Sequence, residues 1–180
     1  MAKSKNQRRS KLQEQRIADE IGGRVQAGSG SSWRAKSDVR KLGELRVEAK
    51  FTSQNEYKLK LADWLKIRDE AIKGGLETPV MQIEFIFGAI QRYKLAVMDY
   101  RLFRHWHGFA VTKPIEQNQY WIDGKQFGID WTAARCFFAG ATAKLADGVM
   151  EVVFETPEHG KHYLAVIEWD LFTSLFEAQE

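Results

Sequence analysis

The sequence predicts an α/β fold, a mixed β-sheet flanked by helices with a strand-rich C-terminal extension. Three patterns predict it. Apolar residues recur at helical spacing over residues 10–21. Residues 45–51 alternate apolar and charged side chains with period two. A second helical pattern over 57–73 leads into a strongly apolar run at 80–88. The resulting order α-β-β-β-α-β-β suits a sheet whose apolar faces are covered by helices.

Each element has its own signal. Residues 1–9 are charged, without apolar periodicity, and are expected to form a basic flexible tail. Ser10 is a suitable N-cap for a helix over Ser10–Ile21, with Leu12, Ile17 and Ile21 as its apolar stripe and Gly22-Gly23 as its end. Arg24–Ala27 reads as a short strand. Gly28–Ser32 is a Gly/Ser loop that could hold a phosphate or serve as an ordinary linker. Lys36–Arg40 and Leu45–Phe51 read as two strands joined by a turn at Leu42-Gly43-Glu44. Tyr57–Lys73 reads as a helix with Leu61, Trp64, Leu65, Ile67 and Ile72 on one side, closed by Gly74-Gly75. Val80–Gly88 and Tyr93–Tyr100 follow as strands, and Phe85, Phe87, Phe103 and Phe109 read as core or as a subunit interface. Further on, Asp123-Gly124 between Asn118–Ile122 and Lys125–Ile129 signals a hairpin. Val149–Glu155 and His162–Glu168 read as strands, and Trp169–Ala178 as a closing helix. The expected organisation is a tail at 1–9, a core at 10–100, and an extension at 101–180 packed on the same single domain.

Composition narrows the classes. A chain of 180 residues fits one domain with a real core. It holds no run of 18 apolar residues, so no membrane-spanning helix is expected. The amino terminus is polar and basic and lacks the apolar stretch of a secretory signal. Cys136 is the only cysteine, which rules out an internal disulfide and fits a cytoplasmic setting. Charge is uneven. Residues 1–75 carry 18 Lys and Arg against 10 Asp and Glu, and residues 76–180 carry 9 against 14. The basic half suits a polyanionic partner, although a solubilising tail would give part of the same bias.

The chemistry-bearing pattern lies in that basic half. Side chains alternate along a strand, so Arg46, Glu48 and Lys50 share one face, and Leu45, Val47, Ala49 and Phe51 share the other. The hairpin would bring Asp38 beside Glu48. Two carboxylates at one point, with the Ala49 carbonyl as a further oxygen, suit Mg²⁺ or Mn²⁺. Such a cation lowers the pKa of a bound water and neutralises charge on a phosphate. Lys50, on the same face, could orient the water or stabilise that charge. Asp, Glu and Lys are common, so the pattern alone also fits a solvated hairpin of mixed charge.

The run Gly22-Gly23-Arg24-Val25-Gln26-Ala27-Gly28-Ser29-Gly30-Ser31, followed by Lys36-Ser37-Asp38-Val39-Arg40 and Val47-Glu48-Ala49-Lys50-Phe51-Thr52, resembles the archaeal-type Holliday junction resolvases. It is most similar to their bacteriophage relatives among the PD-(D/E)xK, restriction-endonuclease-like nucleases. The resemblance covers roughly residues 10–100. It implies a restriction-endonuclease-like core and Mg²⁺-dependent hydrolysis of branched DNA, four-way junctions above all, by a homodimer. For a phage protein it implies the cytoplasm of a bacterial host. Asp38 matches the first metal ligand, Glu48 the second and Lys50 the catalytic lysine. Glu14 matches a helical glutamate near the metal, and Ser29 or Ser31 matches the loop serine. Ser37 stands where the motif's proline would be. The implied DNA-contacting residues are Arg24, Ser29, Ser31, Ser32, Trp33, Arg34 and Lys36.

Other signals are weaker. His105, His107, His159, His162 and Cys136 match no common zinc spacing. Trp33 could stack on an unpaired base or anchor its loop. Gln54, Asn55 and Tyr57 could touch a DNA backbone or begin the next helix. Two alternatives accompany the resolvase reading: a phage nickase or DNA-degrading nuclease without junction preference, and a catalytically inactive DNA-binding module of the same fold.

Overall fold

The computed structural model describes residues 4–26, 37–88, 91–108, 119–135 and 148–179. Its centre is an eight-stranded mixed sheet. The strands in chain order are β1 (Arg24–Val25), β2 (Val39–Lys41), β3 (Leu45–Thr52), β4 (Glu56–Lys60), β5 (Thr78–Phe87), β6 (Gln91–Asp99), β7 (Gln119–Asp123), β8 (Gln126–Asp130), β9 (Met150–Thr156) and β10 (Gly160–Glu168). The large sheet runs β1-β2-β3-β5-β6-β10-β9-β7, and β4 pairs with β8 in a separate ribbon. The β3–β5 and β7–β9 pairs are parallel; the other pairs are antiparallel. The helices are α1 (Lys5–Ile21), α2 (Leu61–Lys73), α3 (Tyr100–His107) and α4 (Trp169–Glu177). The mixed α/β class expected from sequence is the class observed.

Two apolar cores sandwich the sheet. On one face Ile17 and Ile21 of α1, Phe103 of α3, and Trp169, Phe172 and Phe176 of α4 pack on Leu45, Val47, Val80 and Met98. On the other, Trp64 and Ile67 of α2, with Leu59 and Ile129 of the β4–β8 ribbon, pack on Met81, Ile83, Phe85, Val97 and Val166. With helices on both faces, β3 has no solvent side at its start, and Arg46 and Glu48 are buried along with Leu45 and Val47. Phe85 and Phe103 are core residues and Phe87 is partly buried; Phe109 lies outside the described residues.

Arg46 is tolerated there because Glu77 meets it. The fully buried Glu77 carboxylate accepts from Arg46 Nε at 3.0 Å, from the Arg40 guanidinium, and from the Gly43 backbone N–H. Gly74 leaves room for this knot: a Cβ there would lie 2.4 Å from an Arg46 terminal nitrogen. The knot ties the β2–β3 turn to the segment between α2 and β5.

Several elements differ from their sequence expectation. The tail is helical from Lys5, because Ser4 and Gln7 form a capping box that satisfies the first backbone N–H groups. Ser10 is therefore inside the helix, where its hydroxyl donates to Glu14 at 2.8 Å. Leu12 is exposed, and the buried face is Gln13, Ile17, Ala18 and Ile21. The expected helix over 57–73 begins at Leu61. Residues 56–60 are a strand, because Tyr57 and Leu59 turn inward when β4 pairs with β8. The strand expected to reach Tyr100 ends at Asp99, whose carboxylate caps α3 by accepting from Arg101 and Leu102. The Asp123-Gly124 hairpin does not form. Strands flank that turn, but β7 pairs with β9 and β8 with β4. The expected strands at 80–88, 149–155 and 162–168, and the helix at 169–178, stand within one or two residues of β5, β9, β10 and α4. Among the described residues, no helix is long and apolar enough to cross a membrane.

Candidate functional site

The β2–β3 hairpin sets the site. Its register pairs Val39 with Val47, so the next residue outward, Asp38, stands across from Glu48. The Asp38 carbonyl accepts from Gln26 N–H at 3.0 Å, which braces its backbone against the end of β1. Its Oδ2 accepts from Ala49 N–H at 2.8 Å. The N–H and C=O of a strand residue point to the same flank, so the Ala49 carbonyl lies on the Asp38 side.

Glu48 sits under α2. Its Oε1 is 3.0 Å from Lys50 Nζ and 3.8 Å from Lys66 Nζ of α2. Its Oε2 is buried and has no hydrogen-bond partner. Burial, and then the Glu48 charge, raise Asp38 from its ordinary 3.8 to about 6, with Glu14 adding to the rise and the Ala49 N–H and Lys50 opposing it. Burial alone would lower Lys50, but Glu48, Asp63 and Asp38 outweigh it and raise the ammonium above its usual value. The Tyr57 phenol of β4 is pushed up by burial, then by Asp63 and Glu48, so it stays protonated.

Asp38, Glu48, Lys50 and the Ala49 main chain therefore come together. Glu14 is held by Ser10 and reaches Asp38 through its charge rather than by contact. Its neighbour Gln13 makes the direct link from α1, donating to the Lys50 carbonyl at 2.9 Å and to Gln82 Oε1 at 3.0 Å. Arg24 is exposed on β1, opposite Arg40, and stands in register with the Arg46 end of β3 rather than the Lys50 end. Ser29, Ser31, Ser32, Trp33, Arg34 and Lys36 lie outside the described residues, as does Cys136. His105 and His107 are on α3, whereas His162 contacts the His159 carbonyl near the β9–β10 turn.

Gln13, Asp63 and Lys66 are site neighbours that sequence reading passes over, whereas it gives Tyr57 as a DNA-backbone contact or the start of a helix. Asp63 and Lys66 stand three apart on one helical face, which is the signal that would have paired them.

The donors fit a hard divalent cation, although no group of three or more His, Cys, Asp or Glu converges among the described residues. Two carboxylates and one carbonyl would hold it. The orphaned Glu48 Oε2 and the raised Asp38 are both signs of negative charge gathered without enough compensation.

That imbalance has a stability consequence with a definite sign. Asp38 binds its proton more tightly in the folded chain, about 6 against 3.8. The folded state is thus penalised by Asp38 ionisation above pH 6, and the penalty vanishes as pH falls through the window down to 3.8. Asp38→Asn should raise the melting temperature of the metal-free protein at pH 7.5 and change it little at pH 3.5. Thermal melts at the two pH values check this, and a loss of stability at pH 7.5 would contradict it. No protein-family model matches the sequence, and no curated protein is similar to it.

Proposed function

We propose that this protein is a divalent-cation-dependent DNA endonuclease that cuts branched DNA, four-way junctions above all, by phosphodiester hydrolysis. The observation that carries the reading is the convergence of Asp38, Glu48 and Lys50, with a buried carboxylate oxygen left unpartnered. Asp38, Glu48 and the Ala49 carbonyl would hold Mg²⁺ or Mn²⁺. When bound, the cation supplies an activated water and neutralises charge on the phosphate.

The remaining steps belong to the chain. Lys50 is charged throughout the neutral range, because the acids around it raise its pKa. A protonated lysine cannot accept a proton, so Lys50 acts as a hydrogen-bond donor that stabilises charge developing on the phosphate oxygens. Gln13 holds the Lys50 carbonyl and so fixes its backbone, while Glu48 Oε1 holds its ammonium at 3.0 Å. Tyr57, kept neutral, is available as a further donor at the α2 side of the site. The half-exposed Lys66 adds positive charge on that same side. A junction needs two symmetric cuts, and a two-fold dimer supplies two such sites.

The test is cleavage of a labelled four-way junction beside duplex and single strand of equal length, with Mg²⁺ and with EDTA. Paired, symmetric, Mg²⁺-dependent cuts confined to the junction are expected. Equal cutting of all three substrates would leave a nuclease without junction preference. No cutting with any divalent cation would leave a DNA-binding module.

A further inference from the structure

The first two turns of α1 stand apart from the fold that the rest of the helix serves. Toward its C-terminal end, α1 is pinned at every turn. Gln13 bonds Lys50 and Gln82, and Arg16 grips the buried Glu84 carboxylate through two bonds of 2.8 and 3.0 Å. Glu20 takes Trp169 Nε1 and Lys94 Nζ. The buried residues of α1 begin at Gln13. Among the described residues, the side-chain bonds between Ser4 and Leu12 join residues of α1 and its cap to each other.

That stretch, exposed except at the partly buried Arg9 and Ser10, is cationic. Lys5, Arg8, Arg9 and Lys11 fall between Ser4 and Gln13 with no acidic residue among them. Among the described residues none of the four has a salt-bridge partner. Lys5–Arg8 and Arg8–Lys11 are spaced i,i+3 and Lys5–Arg9 is spaced i,i+4, so each pair repels along the helix. The capping box at Ser4 and Gln7 nevertheless holds these turns helical. A helix that keeps like charges aligned and burdens itself with their repulsion is matched to a polyanion.

Its position points to which polyanion surface. Gln13 lies at Lys50, while Gly23, beyond the helix C-terminus, packs on the Arg40 carbonyl near the other end of the hairpin. α1 therefore runs antiparallel to β3, and its free end projects past the Lys50 end. At about 1.5 Å per residue the cations lie from about 3 Å (Lys11) to about 12 Å (Lys5) beyond Gln13 along the helix axis.

We propose that the face of α1 bearing Lys5, Arg8, Arg9 and Lys11 is a phosphate-binding arm that grips the DNA backbone flanking the cleavage site. This rests on the nuclease reading above. The free turns carry one exposed large apolar residue, Leu12, so the surface offers charge rather than an apolar face for lipid.

The experiment measures junction and duplex affinity of the full chain in EDTA over a range of NaCl. It compares the native protein, a variant with all four residues changed to Gln, and a charge-preserving Lys5→Arg/Lys11→Arg variant, each with its melting temperature recorded. The fourfold Gln variant should bind at least ~10-fold more weakly, and the slope of log affinity against log salt should flatten by about 2 to 4. The charge-preserving variant should match the native protein in both. An unchanged affinity and slope in the Gln variant, with native DNA binding present, would overturn the arm and leave the nuclease reading standing. Failure of the native protein to bind any DNA would overturn both. Salt-dependent binding of the native chain to phosphatidylserine vesicles, with DNA binding indifferent to the four residues, would assign the arm to a membrane surface instead.

Discussion

On the nuclease reading proposed above, Asp38→Ala should lower the rate of DNA cleavage by at least ~10³-fold while leaving junction affinity in EDTA within about twofold of the native protein. The size follows from what is removed. Asp38 is one of two carboxylates meeting at the site, and it is the one whose second role is only a bond to the Ala49 N–H. Without it, the oxygen set falls to Glu48 and a main-chain carbonyl, which weakens the hold on a divalent cation and removes one of the two groups that would place it. A loss of about 4 kcal/mol in transition-state stabilisation corresponds to that rate factor. Unfolding would not account for the loss, because removing an ionised Asp38 relieves the cost of burying its charge and then its repulsion with Glu48. The signature is therefore loss of cleavage with stability kept or raised. Native rates in Asp38→Ala, measured on a labelled junction at saturating Mg²⁺, would remove the site assignment.

The second large effect is on folding. Glu77→Ala should destabilise the protein by about 3 to 5 kcal/mol, because it strips the carboxylate from Arg46, whose side chain is only 3% exposed. For a chain of this size that lowers the melting temperature by about 10 °C or more. Arg40 is less affected, since its side chain is 21% exposed and it also bonds the Gly74 carbonyl. The Gly43 N–H loses its acceptor as well, so the β2–β3 turn loosens along with the α2–β5 connection. Thermal unfolding followed by circular dichroism checks this. Glu77→Gln, which keeps the shape and an acceptor, should recover part of the loss. A Glu77→Ala midpoint within 2 °C of native would show that water reaches Arg46 and that the knot contributes little.

These two carboxylates differ in how far they could be read in advance. Asp38 and Glu48 are ten residues apart with one tight turn between them, so period-two alternation and the Leu42-Gly43-Glu44 turn are enough to bring them together. Glu77 reaches Arg46 only because β5 docks parallel to β3 after a helical crossover. Nothing local marks that Glu as the partner. The same division runs through the site. Lys50 follows from strand alternation, whereas Lys66, Tyr57 and Gln13 arrive on elements whose docking no short pattern specifies.

By itself the sequence determined the α/β class, the β2–β3 hairpin, the apolar strands β5, β9 and β10, and the C-terminal helix. Each depends on signals within about ten residues: turn chemistry, alternation or helical period. Only tertiary structure decided that residues 56–60 form a strand, that the strands around Asp123-Gly124 go to different sheets, and that both faces of β3 are covered. Tyr57 pairs with Ile129 across 72 positions of chain, and a choice between a helical turn and a strand that near in propensity is settled by what there is to pair with. The hairpin signal at Asp123-Gly124 describes a turn, and a turn leaves open which edge each strand will find.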